Sequence, residues 1–345
     1  MNIGRPQRLG YFSCHICPDG KSETYHEDKS SLTYLCPDYN EIKRFDLTKG
    51  FEEIKKWERV FSEKLHILQW IIENIDKLTV DSNSGLIGDF ICHSSRSLKT
   101  LMVNLLYNEN KWTMIAVKVR GVIILNEMDN GQCKEDFKVH RLYGRYAGYK
   151  LYEILTCTFT GSNLQSSHDN GNHDSFYTVN KLRINNLTLL YSDRVHCVAD
   201  KSQFDKPLDE METVQIRSRP SIWSKDSYRW YWIQRKCYWL AEAKFSGNDK
   251  IICGLKGRNN QLDYVETLSA NQLEKDQDED YFSICGDYFV QQLSLIKSMV
   301  NEELVPFKIT CDNRANLNCF KLNQSIEQFI PSWFIEGKLP ESSNY

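Results

Sequence analysis

Apolar and polar positions alternate at period two from Leu187 to Val198 and again from Glu212 to Ser218. The alternation predicts two strands, carrying LLYSDRVHC and TVQIRSR. On such strands Arg194 and His196 share one face of the first, and Gln215 and Arg217 share one face of the second. A 3.6-residue period takes over from Phe51 to Asn74. There Ile54, Trp57, Phe61, Leu65, Leu68, Ile71 and Ile72 fall on one side of an amphipathic helix. WTMIAVKVRGVIIL, from Trp112 to Leu125, reads as a central strand with Gly121 as a bend or bulge. Further helices are expected at Gly144–Cys157, Lys225–Lys244 and Tyr281–Asn301, and a short helix or apolar turn segment at Leu98–Leu106. Further strands are expected at Lys250–Leu255, Leu262–Leu268 and Phe307–Cys311.

Between these elements the chain is polar. Residues 1–45 suggest an edge strand or extended arm stopped by Pro37, and QFIPSWF forms a last apolar segment. Gly161–Ser175 is the clearest loop; His168 and His173 within it read as solvated side chains and not as ligands. Lys225–Lys244 interleaves Tyr228, Trp230, Tyr231, Trp232, Tyr238 and Trp239 with Arg229, Arg235 and Lys236, a composition that can stack bases. Trp232 and Trp239 lie seven apart on one helical face, which favours core packing over a binding stripe.

Composition narrows the class without naming it. The 345 residues are 41% hydrophobic, 26% charged and 12% aromatic, ordinary globular values that exclude extensive disorder. A net charge of -3 supplies no global field for nucleic acid, so any such contact needs a local patch. No apolar stretch suits a signal peptide or membrane span, which points to cytosol or nucleus and to twelve cysteines held as free thiols. Cys14 and Cys17 form a lone CxxC with no second pair to complete a zinc site.

Two neighbouring strands presenting acid-x-acid and acid-x-Lys would hold a divalent cation for phosphodiester hydrolysis. Here that frame carries no carboxylates. The chain nevertheless resembles the DXO family of RNA 5′-end decapping nucleases through several segments in register. These are RLGYFS, YHEDKSSLTYLCP and FDLTKGFE near the start, then RSLKTLMVNLLY, GYKLY, LLYSDRVHC, VQIR, KCYWLAEAKFSGNDKIICGLK and QFIPSWF. The resemblance implies an α+β fold of two packed mixed β-sheets flanked by helices. It forms one domain over residues 6–337, between a flexible N-terminus at 1–5 and a flexible tail at 338–345.

The resemblance also implies where the family's metal-holding residues would fall. Tyr152 stands for a Glu, Arg194 and His196 for Glu-x-Asp, Gln215 and Arg217 for Glu-x-Lys, and Glu242 for a Gln; the leading arginine is kept as Arg96. With His neutral, Tyr152, Arg194, His196, Gln215 and Arg217 sum to +2, and Glu242 brings the pocket to about +1. That charge would repel a hard cation. The expectation is therefore a non-catalytic nuclear regulator of the piRNA-silencing type, holding no metal and no other cofactor. It would work through nuclear, chromatin-associated protein partners; Arg96, Arg194, His196 and Arg217 could grip an RNA 5′-phosphate, although pairing of Arg194 and Arg217 with Glu242, Glu153 or Asp200 that plugs the cavity is slightly favoured. Two alternatives stand beside it. One is an active metal-dependent decapping or pyrophosphohydrolase nuclease with shifted ligands, for which Glu153 and Asp193 sit one residue off. The other is a protein scaffold without RNA contact.

Overall fold

The computed structural model describes residues 3–17, 22–51, 66–78, 87–107, 112–128, 135–161, 174–221, 225–257, 260–275, 280–312 and 316–337. In chain order the strands are β1 (Gln7–Ile16), β2 (Glu23–His26), β3 (Tyr34–Leu35), β4 (Phe45–Asp46), β5 (Phe90–Cys92), β6 (Thr113–Val119), β7 (Val122–Met128) and β8 (Thr156–Cys157). They continue as β9 (Ser175–Ile184), β10 (Leu187–Val195), β11 (Cys197–Val198), β12 (Thr213–Pro220), β13 (Lys250–Lys256), β14 (Gln261–Ser269), β15 (Pro306–Cys311) and β16 (Leu317–Lys321). The helices are α1 (His66–Glu73), α2 (Ser95–Val103), α3 (Glu135–Leu155), α4 (Lys225–Ser246), α5 (Ala270–Lys275), α6 (Tyr281–Met299) and α7 (Ser332–Glu336).

Nine strands form one mixed sheet in the order β16-β15-β6-β7-β5-β10-β9-β1-β2, and seven form a second in the order β4-β14-β13-β12-β11-β3-β8. Leu98 and Leu101 of α2, Trp239 and Leu240 of α4 and Phe289 of α6 pack with Tyr191 of β10 and Ile251 of β13 into one core joining both sheets. Trp70 of α1 and Phe334 of α7 cover the opposite face of the larger sheet, while Leu151 and Leu155 of α3 cover the smaller one. Fully burying each such side chain contributes on the order of 1.5–3 kcal/mol. The expected fold, α+β with two sheets flanked by helices, is the observed one.

Local differences have local causes. The strand expected at Leu187–Val198 breaks at His196: β10 ends in the larger sheet and β11 begins in the smaller, where it pairs with β12. The two strands of the sequence motif therefore belong to different sheets. Gly121 does not bend one strand but closes a hairpin between β6 and β7. Arg120 (φ 50°) and Gly121 (φ 81°) supply the two positive φ values that a tight primed turn requires. The edge strand expected within residues 1–45 is β2, at the end of the larger sheet, while β1 lies inside between β2 and β9. Cys36 and Cys157 are joined as a disulfide between β3 and β8, so these two are not the free thiols expected. The N-terminal part of the Phe51–Asn74 helix, His168 and His173, and the tail after Gly337 lie outside the described residues.

Candidate functional site

Pairing across the larger sheet builds the site. β1 and β2 are antiparallel, with Cys14 opposite Tyr25 and Ile16 opposite Glu23, so Cys14 and Glu23 are diagonal neighbours on one face. α1 crosses that face and places His66 against the rings of Tyr25 (5.9 Å) and Phe12 (6.2 Å). A Cys Sγ, a Glu carboxylate oxygen and a His nitrogen thus lie within 4.8 Å of one another. His66 Nε2 is buried without a hydrogen bond; Glu23 Oε2 stands 3.8 Å away, too far to accept one. Burial, reinforced by Glu23, pushes the Cys14 thiol up. An orphaned imidazole nitrogen facing a thiol and a carboxylate is a donor set that suits a bound transition ion.

The same register carries the face onward. Phe12 stacks on its partner Tyr177 at 5.1 Å, and Tyr177 sits opposite Arg194 on β10. Arg194 reaches over the rings of Tyr149 and Tyr152 on α3, at 5.8 and 5.9 Å, and hydrogen-bonds Tyr149. Burial disfavours its charge, but the surrounding phenols outweigh that and raise its pKa. Arg194, His196, Arg217 and Tyr152 all line one cavity of about 280 Å³, together with Arg145, Arg235 and Ser218.

Each remaining residue singled out from the sequence has a definite place. His196 Nδ1 accepts from the Ile216 amide at 2.9 Å, which leaves the ring proton on Nε2. Burial, then Arg217 and Arg194, drive its pKa well below the ordinary histidine value, so the ring is neutral. Tyr152 hydroxyl meets Thr33 Oγ1 at 3.0 Å, and Thr33 also donates to the His196 carbonyl at 3.1 Å. Gln215 is buried and donates to Ser246 Oγ at 3.3 Å. Glu242 accepts from Lys99 at 2.6 Å and pairs with Arg217. Arg96 does not line that cavity; it lies 3.6 Å from Glu127 and lines a second one with His66, His93 and Ser192.

The shifted carboxylates do not enter the cleft as ligands. Asp193 points to the other face of β10, where Ser95 donates to it, and burial raises its pKa against the pull of Lys99. Glu153 is held by Lys150 at 2.7 Å. The sequence reading set Cys14 aside for want of a second CxxC and missed Glu23 and His66. The antiparallel pairing of β1 with β2 and a helix about fifty residues after Cys14 bring them together, and no spacing rule covers that arrangement. The alternation of Cys14 with Phe12 and Ile16 was the one available signal.

Two mixed sheets clasping buried helices, with an arginine-lined cleft where β10 passes into β11, define an α+β protein with a nucleotide-sized polar cavity. A family model described as RAI1 like PD-(D/E)XK nuclease matches residues 4–335, and the chain belongs to that family. The decapping and exoribonuclease proteins of Bos taurus and Homo sapiens are similar to it at 21% identity over 353 and 346 residues, spanning 96% of this chain and 85% of each relative. Scheffersomyces stipitis Rai1, solved in complex with (3'-NADP)+ and calcium ion, shares the fold with a TM-score of 0.74 at 14% identity, covering 96% of this chain and 94% of that one. Candida albicans Rai1, solved in complex with pU5-Mn2+, gives a TM-score of 0.73 at 16% identity, covering 97% and 96%.

These findings correct the expectation of a non-catalytic, metal-free regulator. The positive charge of the Arg194 cleft argues against a cation in that pocket, and the lone CxxC against a zinc site; Cys14, Glu23 and His66 offer a metal-capable donor set that neither argument covers. The pseudoenzyme reading drawn from Tyr152, Arg194, His196, Gln215, Arg217 and Glu242 therefore does not extend to the whole molecule.

Proposed function

We propose that this chain is a metal-dependent hydrolase of RNA 5′ ends, of the decapping and exoribonuclease type. The observation that carries this reading is the Cys14, Glu23 and His66 group, set on the sheet face that also bears Arg194. Those three residues would hold the ion, which when bound supplies Lewis acidity and an activated water at neutral pH. The remaining work falls to the chain's own side chains. Arg194, His196 and Arg217 contact the RNA 5′-phosphate within the 280 Å³ cavity, and Arg96 approaches from the neighbouring cavity beside His66. His196, neutral with its proton on Nε2, donates one hydrogen bond without adding charge. Tyr149 and Tyr152 hold the Arg194 guanidinium in place and keep water from it.

The relatives support the substrate class. One solved relative holds pU5 with manganese, and the similar mammalian proteins are named for decapping and exoribonuclease activity. A nuclear location and nuclear protein partners, expected from the family resemblance, belong to the same proposal and are read by imaging and affinity capture of the full chain. The deciding experiment offers the purified chain triphosphate, monophosphate and capped RNAs with Mn²⁺, Mg²⁺ or Zn²⁺. The expected result is ion-dependent 5′-end product that falls at least about tenfold with Glu23→Gln or His66→Ala. Folded protein that releases no product with any of the three ions would overturn the proposal.

A further inference from the structure

We propose that Cys14, Glu23 and His66 form a site for a borderline transition ion of the zinc class, and not for a hard ion such as Mg²⁺. The inference rests on the metal-dependent reading above and specifies which ion chemistry that site accepts.

The donor set decides the ion. Magnesium and calcium take oxygen ligands almost exclusively, and one carboxylate is too few for either. A thiolate, an imidazole nitrogen and a carboxylate are the ligands by which proteins hold zinc, and cobalt accepts the same set. Three protein ligands with a fourth position open is also the pattern of catalytic zinc sites, in contrast to closed structural ones. The open side here has a direction, because His66 also lines the cavity shared with Arg96, His93 and Ser192.

The protein around the group is built to hold it still. Cys14 is 1% exposed, and its strand is paired on both sides, with β2 and with β9. Phe12 and Tyr25 set their rings against His66, at 6.2 and 5.9 Å. His66 Nε2 has no hydrogen bond to give up on binding. Ligand atoms within 4.8 Å of one another need to close to about 3.5 Å around an ion with bonds of about 2.0–2.3 Å, a movement within side-chain torsion. Binding is balanced in charge and atoms: the Cys14 sulfur–hydrogen bond breaks, a sulfur–metal bond forms, and the proton passes to solvent.

Cobalt is the probe, because a cobalt–thiolate bond absorbs in the near ultraviolet where no other ligand of the set does. The full chain, stripped of metal by chelation, is titrated with Co²⁺ and then with Zn²⁺. One equivalent of Co²⁺ should produce the thiolate band, and Zn²⁺ should displace it while excess Mg²⁺ does not. Cys14→Ser should remove the band, and Cys17→Ser should keep it. Because Cys14 is buried, Glu23→Gln and His66→Ala serve as second variants, each weakening Co²⁺ binding at least about tenfold with unchanged far-ultraviolet circular dichroism. Absence of the band in the folded protein, or its persistence in Cys14→Ser, overturns the inference. Mn²⁺-dependent RNA cleavage without any cobalt band would sink this site, leaving the RNA 5′-end activity standing with its ion held by other residues. A cobalt band with no cleavage of any RNA end would do the reverse.

Discussion

Lys99 and Glu242 form an ion pair at 2.6 Å between α2 and α4, both side chains at 10% exposure or less. Glu242 also pairs with Arg217, so one carboxylate is shared by two cations drawn from α2 and β12. Burial lowers the pKa of both Lys99 and Arg217, which shows the direction in which each would shift if left alone. Glu242→Ala removes the carboxylate that pairs with both, leaving them only the more distant Asp193, and should destabilise the protein by roughly 3 kcal/mol. Urea unfolding of variant and parent measures the loss. A shift of the midpoint without a change of slope is the expected form, and an unchanged midpoint would contradict it.

His196 links stability to pH. Its folded pKa lies well below the unfolded value of 6.5, because burial and the neighbouring arginines oppose the charged form. Below 6.5 the unfolded chain takes up a proton that the folded chain refuses. The histidine's contribution is therefore present above that pH and is lost as pH falls toward the folded pKa. His196→Asn keeps an acceptor for the Ile216 amide and removes the titration. Melting temperatures of parent and variant should run parallel above about pH 7.5 and converge or cross on the acid side of 6.5. Parallel curves throughout would refute the assignment.

The two-sheet plan was legible where periodicity and tertiary context agree. β13, β14, β15 and α6 lie close to where alternation and the helical repeat put them. Of the residues expected in one pocket, Tyr152, Arg194, His196 and Arg217 line one cavity, whereas Arg96, Gln215 and Glu242 do not. Two features were not legible. His196 carries the chain from one sheet to the other within a single apolar-polar alternation, so the pattern runs on while the hydrogen-bonded partner changes. Glu23 and His66 look like ordinary surface polar residues in the sequence. Only the β1–β2 register and the docking of α1 show that they face Cys14.

Reduction should weaken the edge of the smaller sheet. Cys36 and Cys157 bridge β3 and β8 across 121 residues, and β8 is otherwise held by a two-residue pairing. Constraining so long a loop in the unfolded chain is worth about 2–5 kcal/mol. Cys157→Ser, or dithiothreitol added to the parent, should lower the denaturation midpoint to the same extent. Thiol titration of the denatured parent should find two fewer groups before reduction than after it. Equal counts would show that the bridge does not form in solution.

Gly10 determines whether α1 can reach β1 at all. A Cβ built on it would fall inside the indole of Trp70, which is fully buried on α1 four residues after His66. A β-bulge between Arg8 and Gly10 adjoins this close approach, and the helix rests where a side chain would otherwise stand. Gly10→Ala therefore has to push Trp70 outward, at an overpacking cost of about 1–3 kcal/mol. Because His66 rides on the same helix, the displacement also separates it from Cys14 and Glu23. Two readouts should move together: tryptophan fluorescence shifts as Trp70 leaves its site, and Co²⁺ affinity falls at least about tenfold. A variant that loses stability while keeping parental cobalt affinity would show that α1 does not set the position of His66.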